Sequence, residues 1–175
     1  MINEMKQRVI KLAADMPKGA ELNWTTDLKD NQFGWVTLND VEDLPLFAEK
    51  ILPEGRLVTI SACNAKAEDA KSFHEVCYHF VMKGLAVTVT VLPTGVEPTV
   101  PSITQWHKSA DWTEREMAES YGITVTNHPN PRPLFLHETV QSEAMERLVP
   151  LSTMTNSAST NSLWEKIMGE KGEES

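Results

Sequence analysis

Cysteine is scarce in this chain. Its 175 residues include two, Cys63 and Cys77, and they do not form a Cys-x-x-Cys pair. An iron–sulfur cluster usually takes four thiolates, so this chain alone is not expected to hold one. Both cysteines read as small buried residues in strands. Basic charge is also short, with 16 Lys and Arg against 25 Asp and Glu and a net charge of −9. That balance argues against a nucleic-acid binder, which needs a basic face for phosphates. It equally disfavours charge-driven binding to anionic lipid. No apolar run approaches the roughly 20 residues that cross a bilayer. The opening MINEMKQRVIKLAADMP mixes charges at helical spacing and lacks a signal-peptide core. The expectation is a cytoplasmic protein that meets a membrane only through partner subunits, with no direct membrane insertion.

The short motifs of common enzyme classes are missing too. There is no P-loop and no Gly-x-Gly-x-x-Gly to cradle nucleotide phosphates. Ser102 precedes no glycine-rich elbow of the hydrolase kind. The five histidines are His74, His79, His107, His128 and His137, and none sits in a His-Glu-x-x-His pair. His74 and His79 have opposite parity in one strand and point to opposite faces. No catalytic, cofactor-binding or metal-binding residue is assigned.

What is present organises into one domain and a tail. Residues 5–14 place Met5, Val9, Leu12 and Ala13 on one side of a helix. Gln32 to Leu38 reads as a strand. Val41 to Ile51 reads as a helix interrupted near its start by Pro45. Leu57 to Ala62 alternates, with Val58, Ile60 and Ala62 on one face. Phe73 to Met82 alternates again, bringing Val76, Tyr78, Phe80 and Met82 together. Lys83-Gly84 makes a hairpin turn, and Leu85, Val87, Val89 and Val91 alternate after it. Strands joined by short turns suggest an antiparallel sheet with helices packed on one face and a solvated or helix-covered polar face. The class is α+β, followed by a helix–loop motif and a flexible C-terminal tail. The domain is expected over 1–150 and the tail over 151–175. Gln141 to Leu148 has helical spacing. From Ser152 to Ser162, nine of eleven residues are Ser, Thr or Asn, too polar to fold alone. Leu163, Trp164, Ile167 and Met168 then form a short apolar stripe. It reads either as a partner-binding peptide or as a frayed terminus with an incidental Trp164.

The most informative stretch runs from Pro101 to Leu136. Asp111 is placed to cap a helix starting at Trp112, with Glu114 completing a capping box. Arg115 and Glu119 are four apart and can pair. Gly122 is placed to end the helix in the left-handed conformation. Ile123 and Val125 alternate with Thr124 and Thr126. His128 and Arg132 follow on a loop stiffened by Pro129, Pro131 and Pro133. Trp106 and Trp112 each read equally well as core or as an exposed anchor.

Pro101, Ser102, Ala110, Trp112, Glu114, Arg115, Glu116, Glu119, Gly122, Ile123, His128, Pro129 and Arg132 together resemble the C-subunit family of respiratory complex I. That family includes subunits of membrane-bound, complex I-related NiFe hydrogenases of the formate hydrogenlyase type. Ser120 and Pro133 depart from the usual pattern, and the run HPNPRPLFL looks closer to the hydrogenase-type members. The resemblance implies a cofactor-free scaffold subunit. Its partners would be the hydrogenase or quinone-site large subunit and the small subunit holding a 4Fe–4S cluster. The implied interface comprises Trp112, Glu114, Arg115, Glu116, Glu119, His128 and Arg132, with Trp164 added from the tail stripe. Two other readings stand beside it. One is a small acid/base enzyme using Glu114, Glu116 and His128. The other is a free-standing adaptor that recruits a partner through its C-terminal peptide.

Overall fold

Apolar periodicity sets the first element. A computed structural model of the chain describes residues 2–66, 72–95 and 97–135. Helix α1 spans Ile2–Ala14 and buries Met5, Val9, Leu12 and Ala13. After Gly19, whose φ of 84° suits a residue without a side chain, the chain forms β1 (Ala20–Thr26) and β2 (Gln32–Leu38). A 3-10 turn over Val41–Asp43 leads into α2, Leu44–Ile51, with Pro45 in the first turn, where its missing N–H costs nothing. Strands β3 (Gly55–Lys66), β4 (Ser72–Met82) and β5 (Leu85–Val91) follow. Short β6 (Thr99–Pro101), helix α3 (Ala110–Tyr121) and short β7 (Thr124–Thr126) complete the described fold.

The five long strands run in the order β1-β2-β5-β4-β3. Three neighbouring pairs are antiparallel, but β2 and β5 are parallel. The expected α+β class holds, and the sheet expected to be antiparallel is mixed, with β2–β5 parallel. The sequential pair β4–β5 is joined by a two-residue turn, whereas β2 and β5 are separated by α2, β3 and β4. Only a long connection lets a strand return parallel. Lys83 and Gly84, both at positive φ, close the β4–β5 hairpin. Strands β1 and β6 carried too little apolar alternation to be seen in the sequence.

One apolar core lies on the helix-covered face. Val76, Tyr78, Phe80 and Met82 from β4 join Leu85, Val87, Val89 and Val91 from β5, all at most 1% exposed. Leu44, Phe47, Ala48 and Ile51 of α2 pack on them, as do Ile103, Ala110 and Ile123. A second correction falls on Val58. The β3–β4 register shifts between Leu57 and Thr59, so two residues oppose one. Leu57 turns to the core while Val58 is exposed. Sheet residues on the far face satisfy one another. Trp35 Nε1 donates to Thr25 Oγ1 at 2.8 Å, and the His79 ring bridges Ser61 Oγ (2.8 Å) and Thr88 Oγ1 (3.0 Å).

The tail, the helix expected over 141–148, and Trp164 lie outside the described residues. No helix among the described residues is long and apolar enough to cross a membrane.

Candidate docking site around Glu114 and the proline loop

Helix α3 positions the site. Its N-cap is Ser109, not Asp111, and Ser109 Oγ donates to the Leu57 carbonyl instead of capping. The capping box read from the sequence is thus overturned. Ala110 is already helical because its side chain is fully buried in the core, and packing outweighs a local cap. Asp111 falls in the first turn and Glu114 one turn deeper. At the other end Gly122 closes the helix at φ 65° and ψ 19°, its N–H donating to the Ala118 carbonyl.

Glu114 is completely buried. Its carboxylate accepts from Ser102 Oγ at 2.6 Å, Thr104 Oγ1 at 2.8 Å and the Ile103 N–H at 2.8 Å. Ser102 Oγ in turn accepts the Thr104 N–H at 3.1 Å. Burial pushes the Glu114 acid above its ordinary range, while these donors and His128 pull it back. Each hydrogen bond to an ionised group contributes about 1.5–3 kcal/mol. The cluster therefore clamps α3 to the segment after β6. Sequence reasoning did not pair Ser102 and Thr104 with Glu114. The signal available was two hydroxyls two residues apart beside Pro101, ahead of an acid on a helix.

His128 sits over this carboxylate with its side chain 1% exposed, Nε2 lying 3.5 Å from Glu114 and 3.6 Å from Asp111. Nδ1 accepts the Asn130 N–H at 3.0 Å. That bond leaves Nε2 to carry the ring proton between the two carboxylates.

The loop after β7 is fastened from outside by the next turn of α3. Arg115 Nε donates to the Arg132 carbonyl at 2.8 Å and Nη2 to the Pro133 carbonyl at 2.9 Å. The same guanidinium stands 3.9 Å from Asp111. Glu119 accepts from the backbone N–H groups of Leu134 (3.2 Å) and Phe135 (3.0 Å). Arg115 and Glu119, expected to pair along the helix, are each drawn to the loop backbone. Residues 111, 115 and 119 thus form one stripe that binds the loop.

The structure brings Glu114, Arg115, Glu119, His128 and Arg132 around a cleft of about 290 Å³, with Gly122, Ile123 and Val125 among its other lining residues. Glu116 is exposed and does not line the cleft. Positions two apart on a helix point to opposite sides, so the acid/base set of Glu114, Glu116 and His128 is not assembled. The two tryptophans separate. Trp106 packs against the core, whereas Trp112 is 65% exposed on α3, and Phe135 is 70% exposed. Among the described residues no cluster of three or more His, Cys, Asp or Glu is arranged to hold a metal ion.

The chain is similar to subunits of known respiratory complexes. The NAD(P)H-quinone oxidoreductase J subunit of Prochlorococcus marinus is 24% identical over 131 residues, covering 59% of this chain and 76% of that protein. The NADH-quinone oxidoreductase C subunit of Sinorhizobium medicae is 30% identical over 94 residues, covering 53% and 47%. The corresponding C subunit of Ruegeria pomeroyi is 39% identical over 80 residues, covering 43% and 38%. The match thus spans about half or less of the length of these C-subunit relatives. Two solved structures share the fold. A trypsin-resistant fragment (1-134) of Nqo5 aligns with a TM-score of 0.51 at 18% identity, covering 72% of this chain and 98% of that one. A chain of the membrane-bound sulfane sulfur reductase, an archaeal respiratory membrane complex, aligns with a TM-score of 0.56 at 14% identity, covering 78% and 79%. The family model of the respiratory-chain NADH dehydrogenase 30 Kd subunit matches residues 36–155, which run from the end of β2 through β7 and take in the Glu114 clamp and the proline loop, and the chain belongs to that family.

Proposed function

We propose that this chain is a cofactor-free docking subunit of a complex I-related electron-transfer complex. Its role is to hold a large catalytic subunit and a 4Fe–4S small subunit in register. One observation carries the reading: an exposed Trp112 stands on the same helix whose Arg115 and Glu119 fasten the proline loop by its backbone. Interface energy concentrates in tryptophan and arginine anchors, and a preordered loop loses little freedom on binding. Trp112, Glu116 and Arg132 present themselves outward, while the buried Glu114 and His128 hold that surface in shape. Trp164 of the tail stripe completes the proposed interface. The subunit is peripheral on the cytoplasmic side of its membrane, held there by its partners.

Within this reading the complex is of the membrane-bound NiFe hydrogenase type, supported by Pro133 and the run HPNPRPLFL. The second reading is the C subunit of an NADH-quinone oxidoreductase, favoured by the names of the relatives. The experiment is to tag the chain in its native cell, recover the assembly from solubilised membranes, and identify the subunits and metals. Nickel in stoichiometric amount with the large subunit selects the hydrogenase type. A nickel-free assembly that oxidises NADH selects the other. Recovery of the chain without any iron–sulfur subunit overturns the docking role.

A further inference from the structure

The cleft under the proline loop has room for more than water. At about 290 Å³, it falls at the low end of the roughly 300–1,000 Å³ typical of small-ligand pockets. That is space for one bulky side chain, not for a dinucleotide. Ala118, Gly122, Ile123, Val125, Pro131 and Pro133 give it apolar walls. The charged groups beside it are committed within the chain. Glu114 is taken up by Ser102, Ile103 and Thr104, Arg115 by the Arg132 and Pro133 carbonyls, and Glu119 by the Leu134 and Phe135 N–H groups. The exposed side chain of Arg132 lines the cleft and leaves a positive charge at its mouth.

Resting on the docking role proposed above, we infer that this cleft is the socket for a partner subunit's apolar or aromatic side chain flanked by a carboxylate. The side chain fills the apolar walls and the carboxylate pairs with Arg132. Apolar lining selects the first element and the sign of Arg132 selects the second. Preorganisation comes from the two Arg115 bonds and the Glu119 bonds, which hold the roof in place before anything enters. Trp112 lies outside the cleft and makes a separate contact, so the two can be tested apart.

The test uses the full chain in its assembled complex. A photoreactive benzophenone side chain placed at Thr124, an exposed residue lining the cleft, is activated in cells, and a second chain carries it at Trp112. Both positions should cross-link to a partner. The Thr124 adduct should map to an apolar residue within two positions of an Asp or Glu. Ala118→Phe, which fills the cleft from the helix side, should reduce recovery in the complex at least tenfold and leave the isolated chain's melting temperature within a few degrees. If Ala118→Phe does not fold, Thr124→Trp crowds the same cleft from an exposed strand position. Arg132→Glu should weaken assembly most at low salt. Normal assembly of the cleft-filled variants, alongside failure of Trp112→Ala, would leave the docking role standing and overturn the socket. A Thr124 adduct lacking an apolar residue or a nearby acid would overturn it equally. If the unaltered chain recovers no partner, the docking role falls and the socket falls with it.

Discussion

Ser102 and Glu114 meet across 2.6 Å, hydroxyl to carboxylate, with both residues buried. This bond joins the segment after β6 to helix α3, and the geometry of the candidate site depends on it. Glu114→Ala should remove the acceptor for two hydroxyls and one backbone N–H at once. The expected loss is about 3–5 kcal/mol, the range for breaking a buried charged network. Chemical denaturation of the isolated chain measures it.

Glu114→Gln should behave differently. The amide can accept from Ile103 N–H and donate to hydroxyls that also serve as acceptors. Burial raises the acid above its ordinary 4.5. The folded state therefore binds this proton more tightly than the unfolded state. The resulting stability is present below about pH 4.5 and lost as pH rises through the raised folded value. Relative to the native chain, Glu114→Gln should gain stability as pH rises from about 4.5 through the raised folded value. A constant difference between the two chains across that window would contradict the assignment.

His107 supplies the opposite slope. Its Nε2 donates to the Ala48 carbonyl at 3.0 Å, and its ring meets Phe80 edge-on at 5.2 Å. Burial lowers its pKa from 6.5, and burial lowers that of His79 in the same direction. The unfolded state then takes up the proton more readily. The stability is complete above about pH 6.5 and declines as pH falls toward the lowered folded value. His107→Gln retains a donor for Ala48 but does not titrate. Its melting temperature should fall less than that of the native chain between about pH 7 and pH 5.5, with His79 still contributing.

Arg115 and Glu119 hold the loop by backbone contacts, which amide hydrogen exchange can report. Glu119→Ala should speed exchange at Leu134 and Phe135 about tenfold or more, since both N–H groups lose their acceptor. Arg115→Ala should loosen the same loop through Arg132 and Pro133 and cost about 1–3 kcal/mol. Unchanged exchange in both variants would show that the prolines alone fix the loop.

Gly55 begins β3 where α2 ends. An added Cβ would lie 2.9 Å from Met82 Cγ and 3.0 Å from Ile51 Cγ1. Gly55→Ala should therefore destabilise by about 1–3 kcal/mol through overpacking. A thermal melt at neutral pH checks this, and a neutral result would mean that Met82 and Ile51 can yield.

Much of this protein follows from local order alone. The residues buried by α1, the bounds of β2, the inward face of β4, the Lys83-Gly84 turn and the left-handed Gly122 are each set within a few positions of sequence. Periodicity and backbone sterics act at that range, and the fixed spacing from Glu114 to Arg132 was enough to point to the family. What tertiary structure decided is which distant groups meet. The parallel β2–β5 pair, the Val58 bulge, the helix start at Ala110 and the burial of Glu114 against Ser102 and Thr104 all depend on contacts between remote segments. Arg115 shows the difference most clearly. Its sequence context suggested pairing with Glu119 four residues on, but only the fold showed that the carbonyls of Arg132 and Pro133 occupy it. A side chain's chemistry is local, whereas its partner is chosen by whichever arrangement buries the most apolar surface and leaves the fewest polar groups unpaired.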